Sequence, residues 1–148
     1  MTQPVWVWDD PHIADGAILY RRVPKQPSFT VLDILTGEQV INPAALSYDR
    51  GDGLSIYREE LLRSEYVADV SAVCENWATH GVAAFRAGDV RHVPSARAGI
   101  NDYEDTDDAR IGRAHAVVRC PDPETGHQKV NWNPIRAAIA DKARWIEG

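Results

Sequence analysis

Cysteine is scarce in this chain: Cys74 and Cys120 are the two among 148 residues. A disulfide framework normally carries more, and no metal-ligand spacing relates this pair. Both lie in apolar contexts, VSAVCENW and VVRC, where buried free thiols are expected. No apolar run approaches the roughly 18 residues that a bilayer-spanning helix requires. The start, MTQPVWVWDD, lacks the basic region and apolar core of a secretory signal. These absences predict a cytoplasmic protein without membrane association. No segment recurs at a period of roughly 20–50 residues, which excludes solenoids and propellers. The glycine-rich dinucleotide fingerprint, the phosphate-cradling loop, the His-Glu-x-x-His pair and the Gly-x-Ser-x-Gly elbow are all missing, so neither a cofactor nor a metal is expected.

What is present is the composition of a folded domain: 44% apolar, 26% charged and five tryptophans. The length suits one globular domain over 1–148, with 1–16 as an N-terminal arm. The formal charge of −6 disfavours binding to phosphate backbones, so nucleic acid is not an expected partner. It suits solubility or a basic protein partner.

Alternation and turn chemistry divide the chain. AILYRRV (17–23) reads as a strand stopped by Pro24 and Pro27, SFTVLDIL (28–35) as a second, and 38–53 as loop. LSIY (54–57) is a short alternating strand. Ser64 is a suitable N-cap, and Tyr66, Val70, Val73, Cys74 and Trp77 recur at helical spacing, predicting a helix over 64–80 with Gly81 just past its end. VAAFRA (82–87) and Val90–Val93 suggest a hairpin around Gly88-Asp89. Residues 94–112 read as an acidic loop, AHAVVRC (114–120) as the most core-like strand, and 127–132 as its hairpin partner. Asn133-Pro134 opens a helix over 134–147, with Trp145 and Ile146 on its buried face. The expected fold is α+β: five to seven short strands in a mixed or mostly antiparallel sheet, with two main helices on one side.

Among the histidines, His115 stands out because it lies in an apolar strand flanked by Ala114 and Ala116, which leave room for a ligand. His92 meets it if their strands are neighbours. His80 reads as a helix C-terminal residue, and His12 and His127 as solvated. The acidic run DYEDTDD lacks the glycine and terminal glutamate of a calcium loop and reads as a solvated loop. Arg21 and Arg22 alternate, one to each sheet face, and with Arg58, Arg86 and Arg91 make a candidate anion site.

The words LYRRVP, DGLSIYRE, HGVAAFRAGDVRHV and RAHAVVRC, with Ser28-Phe29 between the first two, resemble those of a group of small bacterial proteins without an assigned activity. The resemblance spans most of 19–120. It implies a shared small domain and brings no mechanism, but it singles out Arg21, Ser55, Arg86 and His115 for testing. With no catalytic signature in view, the leading expectation is a non-catalytic protein acting through protein–protein contacts, in the manner of an inhibitor or immunity protein, with Trp6 and Trp8 as binding anchors. The alternatives are a small enzyme or toxin-like transferase acting on a nucleotide or another phosphorylated compound, and a structural subunit of an assembly. The enzyme reading requires Arg21, Ser55, Arg86 and His115 to line one concavity.

Overall fold

A computed structural model describes residues 9–47, 53–93, 98–102, 105–119 and 132–148. Trp6, Trp8, Cys120, His127 and all but the last residue of the strand expected over 127–132 lie outside the described residues; that last residue, Trp132, opens a helix instead.

Among the described residues six strands form one antiparallel sheet: β1 Ile18–Pro24, β4 Leu54–Arg58, β5 His80–Arg86, β6 Gly99–Asp102, β7 His115–Arg119 and β8 Arg144–Ile146, in the order β6-β7-β4-β1-β5-β8. A separate two-stranded ribbon joins β2 Thr30–Leu32 to β3 Gln39–Ile41. The helices are α1 Glu59–Tyr66, α2 Val70–Cys74, α3 Ala87–Arg91 and α4 Trp132–Lys142. The fold class is therefore α+β with an antiparallel sheet, as the alternation and turns imply.

The sheet is buried on both faces because its strands carry apolar residues at both parities. Leu19, Val23, Leu54, Ile56, Ala83, Phe85, Ala116 and Val118 pack with Val90 of α3 and Trp132, Ile135 and Ile139 of α4. On the opposite face Tyr20, Val82 and Ala84 pack with Leu62 of α1, Val73 and Cys74 of α2, and Ile111. Helices thus cover both faces rather than the expected one.

Several elements depart from their expected bounds, each for a local reason. The helix expected over 64–80 is two short helices. Val67 takes left-handed geometry at φ 49°, its N–H bonding Arg63 O at 3.2 Å while Ala68 N–H reaches Leu62 O at 3.0 Å, which closes α1. Asp69 then caps α2 by accepting the Ser71 N–H at 2.9 Å. The periodic stripe is still honoured, since Tyr66, Val70, Val73, Cys74 and Trp77 share one cluster. Gly81 caps no helix but lies in β5, where a Cβ would run into the Trp145 indole. The expected 90–93 strand is the end of α3 and its following residues, because Asp89 accepts the Arg86 N–H at 3.0 Å and starts a helical turn. The terminal helix stops at Lys142. Residues 144–146 leave it to pair with β5, sending Trp145 to one face and Ile146 to the other. The loops expected over 38–53 and 94–112 contain β3 and β6.

The described half of the expected N-terminal arm is tied to the body. Arg91 donates to Asp9, Asp15 and the carbonyls of Asp10 and Ile13, and Ile13 is buried. No helix among the described residues is long and apolar enough to cross a membrane.

Candidate functional site

The site grows from a seam in the sheet. β1 pairs with β5 along its whole length, but with β4 only at Leu19↔Arg58 and Tyr20↔Tyr57. β4 continues to pair with β7 from Leu54 to Tyr57. Past Tyr20 the β1–β4 ladder stops, and a side chain takes its place: Arg21 Nη1 donates to Ser55 O at 3.1 Å. Arg21 follows the parity of Leu19 and Val23. Arg21 nonetheless lines the cavity on the other face, alongside Arg22.

That cavity has a volume of about 990 Å³. Period-2 geometry puts Ser55 and Tyr57 of β4 on its floor, and the register sets them opposite Val117 and His115 of β7. Ser55 and His115 are diagonal neighbours, within reach of an imidazole. Ser55 Oγ hydrogen-bonds His115 Nε2 at 2.5 Å. With Ser55 donating, the neutral ring carries its proton on Nδ1. The Tyr57 ring meets the His115 ring edge-on, with centroids 5.4 Å apart.

The loop at 105–112 forms one wall. Asp108 Oδ1 accepts the N–H groups of Arg110 at 2.9 Å and Ile111 at 3.2 Å, and its Oδ2 accepts the Tyr57 hydroxyl at 3.0 Å. Burial alone would raise the Asp108 pKa; those donors outweigh it and hold the carboxyl below its ordinary range. Burial and the same Asp108 bond push the Tyr57 hydroxyl well up, so it is a neutral donor at physiological pH. Asp105 N–H bonds Gly112 O at 2.9 Å, and a Cβ at Gly112 would collide with Asp105 O, which explains the glycine. Within the acidic run Asp102 and Asp107 are exposed, as expected of a solvated loop, whereas Asp108 is half-buried and tied into the wall. Among the described residues no cluster of three metal-ligating side chains exists.

The rim is charged. Arg22 and Arg110 both pair with Glu75, and His80 opens β5 beside them with Nδ1 2.7 Å from Thr79 Oγ1. His80 is therefore a strand residue lining the cavity, not a helix terminus.

Of the residues singled out from sequence, Arg21, Ser55 and His115 line this cavity. Arg86 does not: it lines a smaller cavity of about 310 Å³ with Lys142 and Arg144, at the far end of β5. The five arginines do not converge. Arg58 is buried against Glu60 and Asp102, and Arg91 holds the N-terminal segment. His92 is exposed and pairs with Asp15 at 3.0 Å, so it does not meet His115. Cys74 is buried beside His80 O at 3.4 Å, and burial raises its thiol pKa, as for an inert structural cysteine. Sequence reasoning missed Tyr57, Glu75, Asp108 and Arg110. For Tyr57 the signal was available, because it shares parity with Ser55.

No protein-family profile, curated protein or solved structure matches this chain.

Proposed function

We propose that the chain is a small enzyme that transfers a group from a nucleotide or another phosphorylated small molecule. It uses the three of the four expected residues that share the cavity, Arg21, Ser55 and His115, and not Arg86, which lies in another cavity. The observation that carries this reading is the Ser55–His115 hydrogen bond on the floor of a cavity that Arg21 also lines. Nucleophile and base within hydrogen-bond reach is the arrangement that general-base catalysis needs. Arg21 brings positive charge to where a phosphoryl group gathers negative charge, and its bond to Ser55 O keeps that charge in place. In the proposed step an attacking hydroxyl, that of Ser55 or of an acceptor bound in its place, gives its proton to His115 Nε2 as its oxygen bonds phosphorus. The bond to the leaving oxygen breaks, and the imidazolium returns the proton to that oxygen. Tyr57, kept neutral and anchored on Asp108, holds the His115 ring in position.

The test is turnover and binding with nucleoside mono-, di- and triphosphates, comparing the native chain with Ser55→Ala and His115→Ala. Both variants should fold with nearly native melting temperatures and lose about a hundredfold or more in turnover, the usual contribution of a positioned acid–base group. Unchanged turnover in both variants, or no phosphorylated compound bound or consumed by the native chain, would refute the proposal.

A second reading, protein–protein contact, is favoured by a separate feature. The β2–β3 ribbon exposes Val31, Leu32 and Val40, and at its turn Ile34 and Leu35 are 89% and 92% exposed. Clustered exposed aliphatics of this kind suit a partner surface, and the neighbouring Asp33 and Glu38 suit one with a basic rim. Charging the turn with Ile34→Glu and Leu35→Glu should abolish capture of such a partner while leaving turnover intact; equal capture by this variant would exclude the ribbon.

A further inference from the structure

Glu75 is the one residue on the cavity rim whose backbone and side chain are both unusual. Its φ and ψ are 66° and −45°, and the Asn76 N–H reaches back over it to Cys74 O at 2.8 Å. This is a γ-turn with a positive φ at its centre, a rare and strained form that glycine would adopt more readily. The other described non-glycine residue with positive φ, Val67, closes α1 and projects into solvent. Glu75 instead projects its carboxylate between two guanidinium groups, bonding Arg22 Nη1 through Oε2 and lying 3.2 Å from Arg110 Nη2 through Oε1. The three residues come from β1, the end of α2 and the 105–112 loop, and all three line the cavity. A second bond, from Arg110 Nη1 to Ala72 O at 3.2 Å, steadies that arginine.

We infer that Arg22 and Arg110 form the phosphate-binding fork of the cavity, and that the Glu75 carboxylate occupies this fork until an anionic ligand displaces it. The inference rests on the reading of the cavity as a site for phosphorylated compounds and adds where the phosphate binds and what guards the position. Planar guanidinium groups match phosphate oxygens in pairs, and a phosphate carries more charge and more acceptor oxygens than a carboxylate. The contacts it must replace are weak. The Arg22, Glu75 and Arg110 side chains are 46%, 43% and 49% exposed, and ion pairs this open to water contribute little. The fork thereby selects against singly charged anions, which compete with Glu75 on equal terms.

The experiment is titration of the full chain with inorganic phosphate, followed by calorimetry, for the native protein and for Glu75→Gln, Glu75→Gly and Glu75→Gln combined with Arg22→Gln and Arg110→Gln. Removing the competing charge should tighten phosphate binding by about fivefold, the equivalent of one exposed ion pair. Glu75→Gly should match Glu75→Gln in affinity and melt no lower than the native chain, which separates loss of the carboxylate from any loss of fold. The triple variant, which keeps Arg21, should bind phosphate at least about tenfold more weakly than Glu75→Gln, the loss of hydrogen bonds from charged groups. Equal or weaker binding by Glu75→Gln and Glu75→Gly, or binding undiminished by loss of both arginines, overturns the inference. The enzymatic reading fails separately: if Ser55→Ala and His115→Ala leave turnover unchanged while Glu75→Gln still tightens phosphate, the fork stands without the chemistry.

Discussion

At the residue scale, Asp108 links the most functions for its size. One carboxylate oxygen closes its own loop through two backbone N–H groups, and the other orients the Tyr57 hydroxyl beneath His115. Its pKa is lower in the folded chain than in the unfolded one, so the unfolded state binds the extra proton first. The stability it contributes is complete above its ordinary pKa of about 4 and is lost as pH falls below that value through the folded pKa. Asp108→Asn should therefore weaken the fold at neutral pH and flatten the fall in stability below about pH 4, measured by urea unfolding at a series of pH values. A native acid profile in this variant would show that the loop bonds contribute nothing. Tyr20 acts at the other extreme. Burial and its bond to Glu59 raise its pKa to about 12, so the stability it supports is complete below about pH 10 and is lost as pH rises through 12.

At the scale of elements, the break between α1 and α2 decides where Glu75 points. Val67 closes α1 in left-handed geometry while its side chain is 92% exposed, so a β-branched residue bears a backbone conformation that costs it energy and buries nothing in return. Val67→Gly should raise stability by about 1 kcal/mol, read as a higher midpoint in chemical denaturation with an unchanged slope. A lower midpoint would mean that the cap tolerates valine without strain. The apolar stripe from Tyr66 to Trp77 was legible in sequence because burial depends on spacing, and two short helices can satisfy the same spacing as one long helix. The break was not legible, because Val67 carries no glycine-like signal. β8 eluded the sequence for a related reason. Trp145 and Ile146 fit either a helical face or opposite faces of a strand, and only the open edge of β5 selects the strand.

At the scale of the whole molecule, two three-stranded halves, β6-β7-β4 and β1-β5-β8, are joined by a ladder of two residue pairs. Arg21 stands where the ladder fails, and its bond to Ser55 O is a charged substitute for a strand hydrogen bond. Arg21→Ala should therefore loosen the seam selectively. Amide exchange in β1 and β4 near Tyr20 and Tyr57 should accelerate by about tenfold, the loss of one hydrogen bond to a charged group, while the outer β6–β7 and β5–β8 pairings keep their protection. Uniform acceleration across all six strands would mean that Arg21 supports global stability instead.

Much of this protein follows from its sequence alone. Period-2 alternation defines the core strands, turn residues separate them, and the apolar content pays for one sheet with helices against it. The same alternation places Ser55 with Tyr57, and His115 with Val117, each pair on one face of its own strand. Strand order belongs to the tertiary structure, because hydrogen bonding along a ladder is indifferent to side-chain identity and many pairings satisfy one pattern. That order brings β4 against β7 and sets His115 diagonal to Ser55, and it leaves Arg86 at the far end of β5 in another cavity. The opening of the β1–β4 seam and the strained turn at Glu75 are likewise tertiary. The seam depends on how β1 sits against β4, and the turn, though closed by local bonds from Glu75 N–H to Ser71 O and from Asn76 N–H to Cys74 O, sets the Glu75 carboxylate between arginines that are distant along the chain.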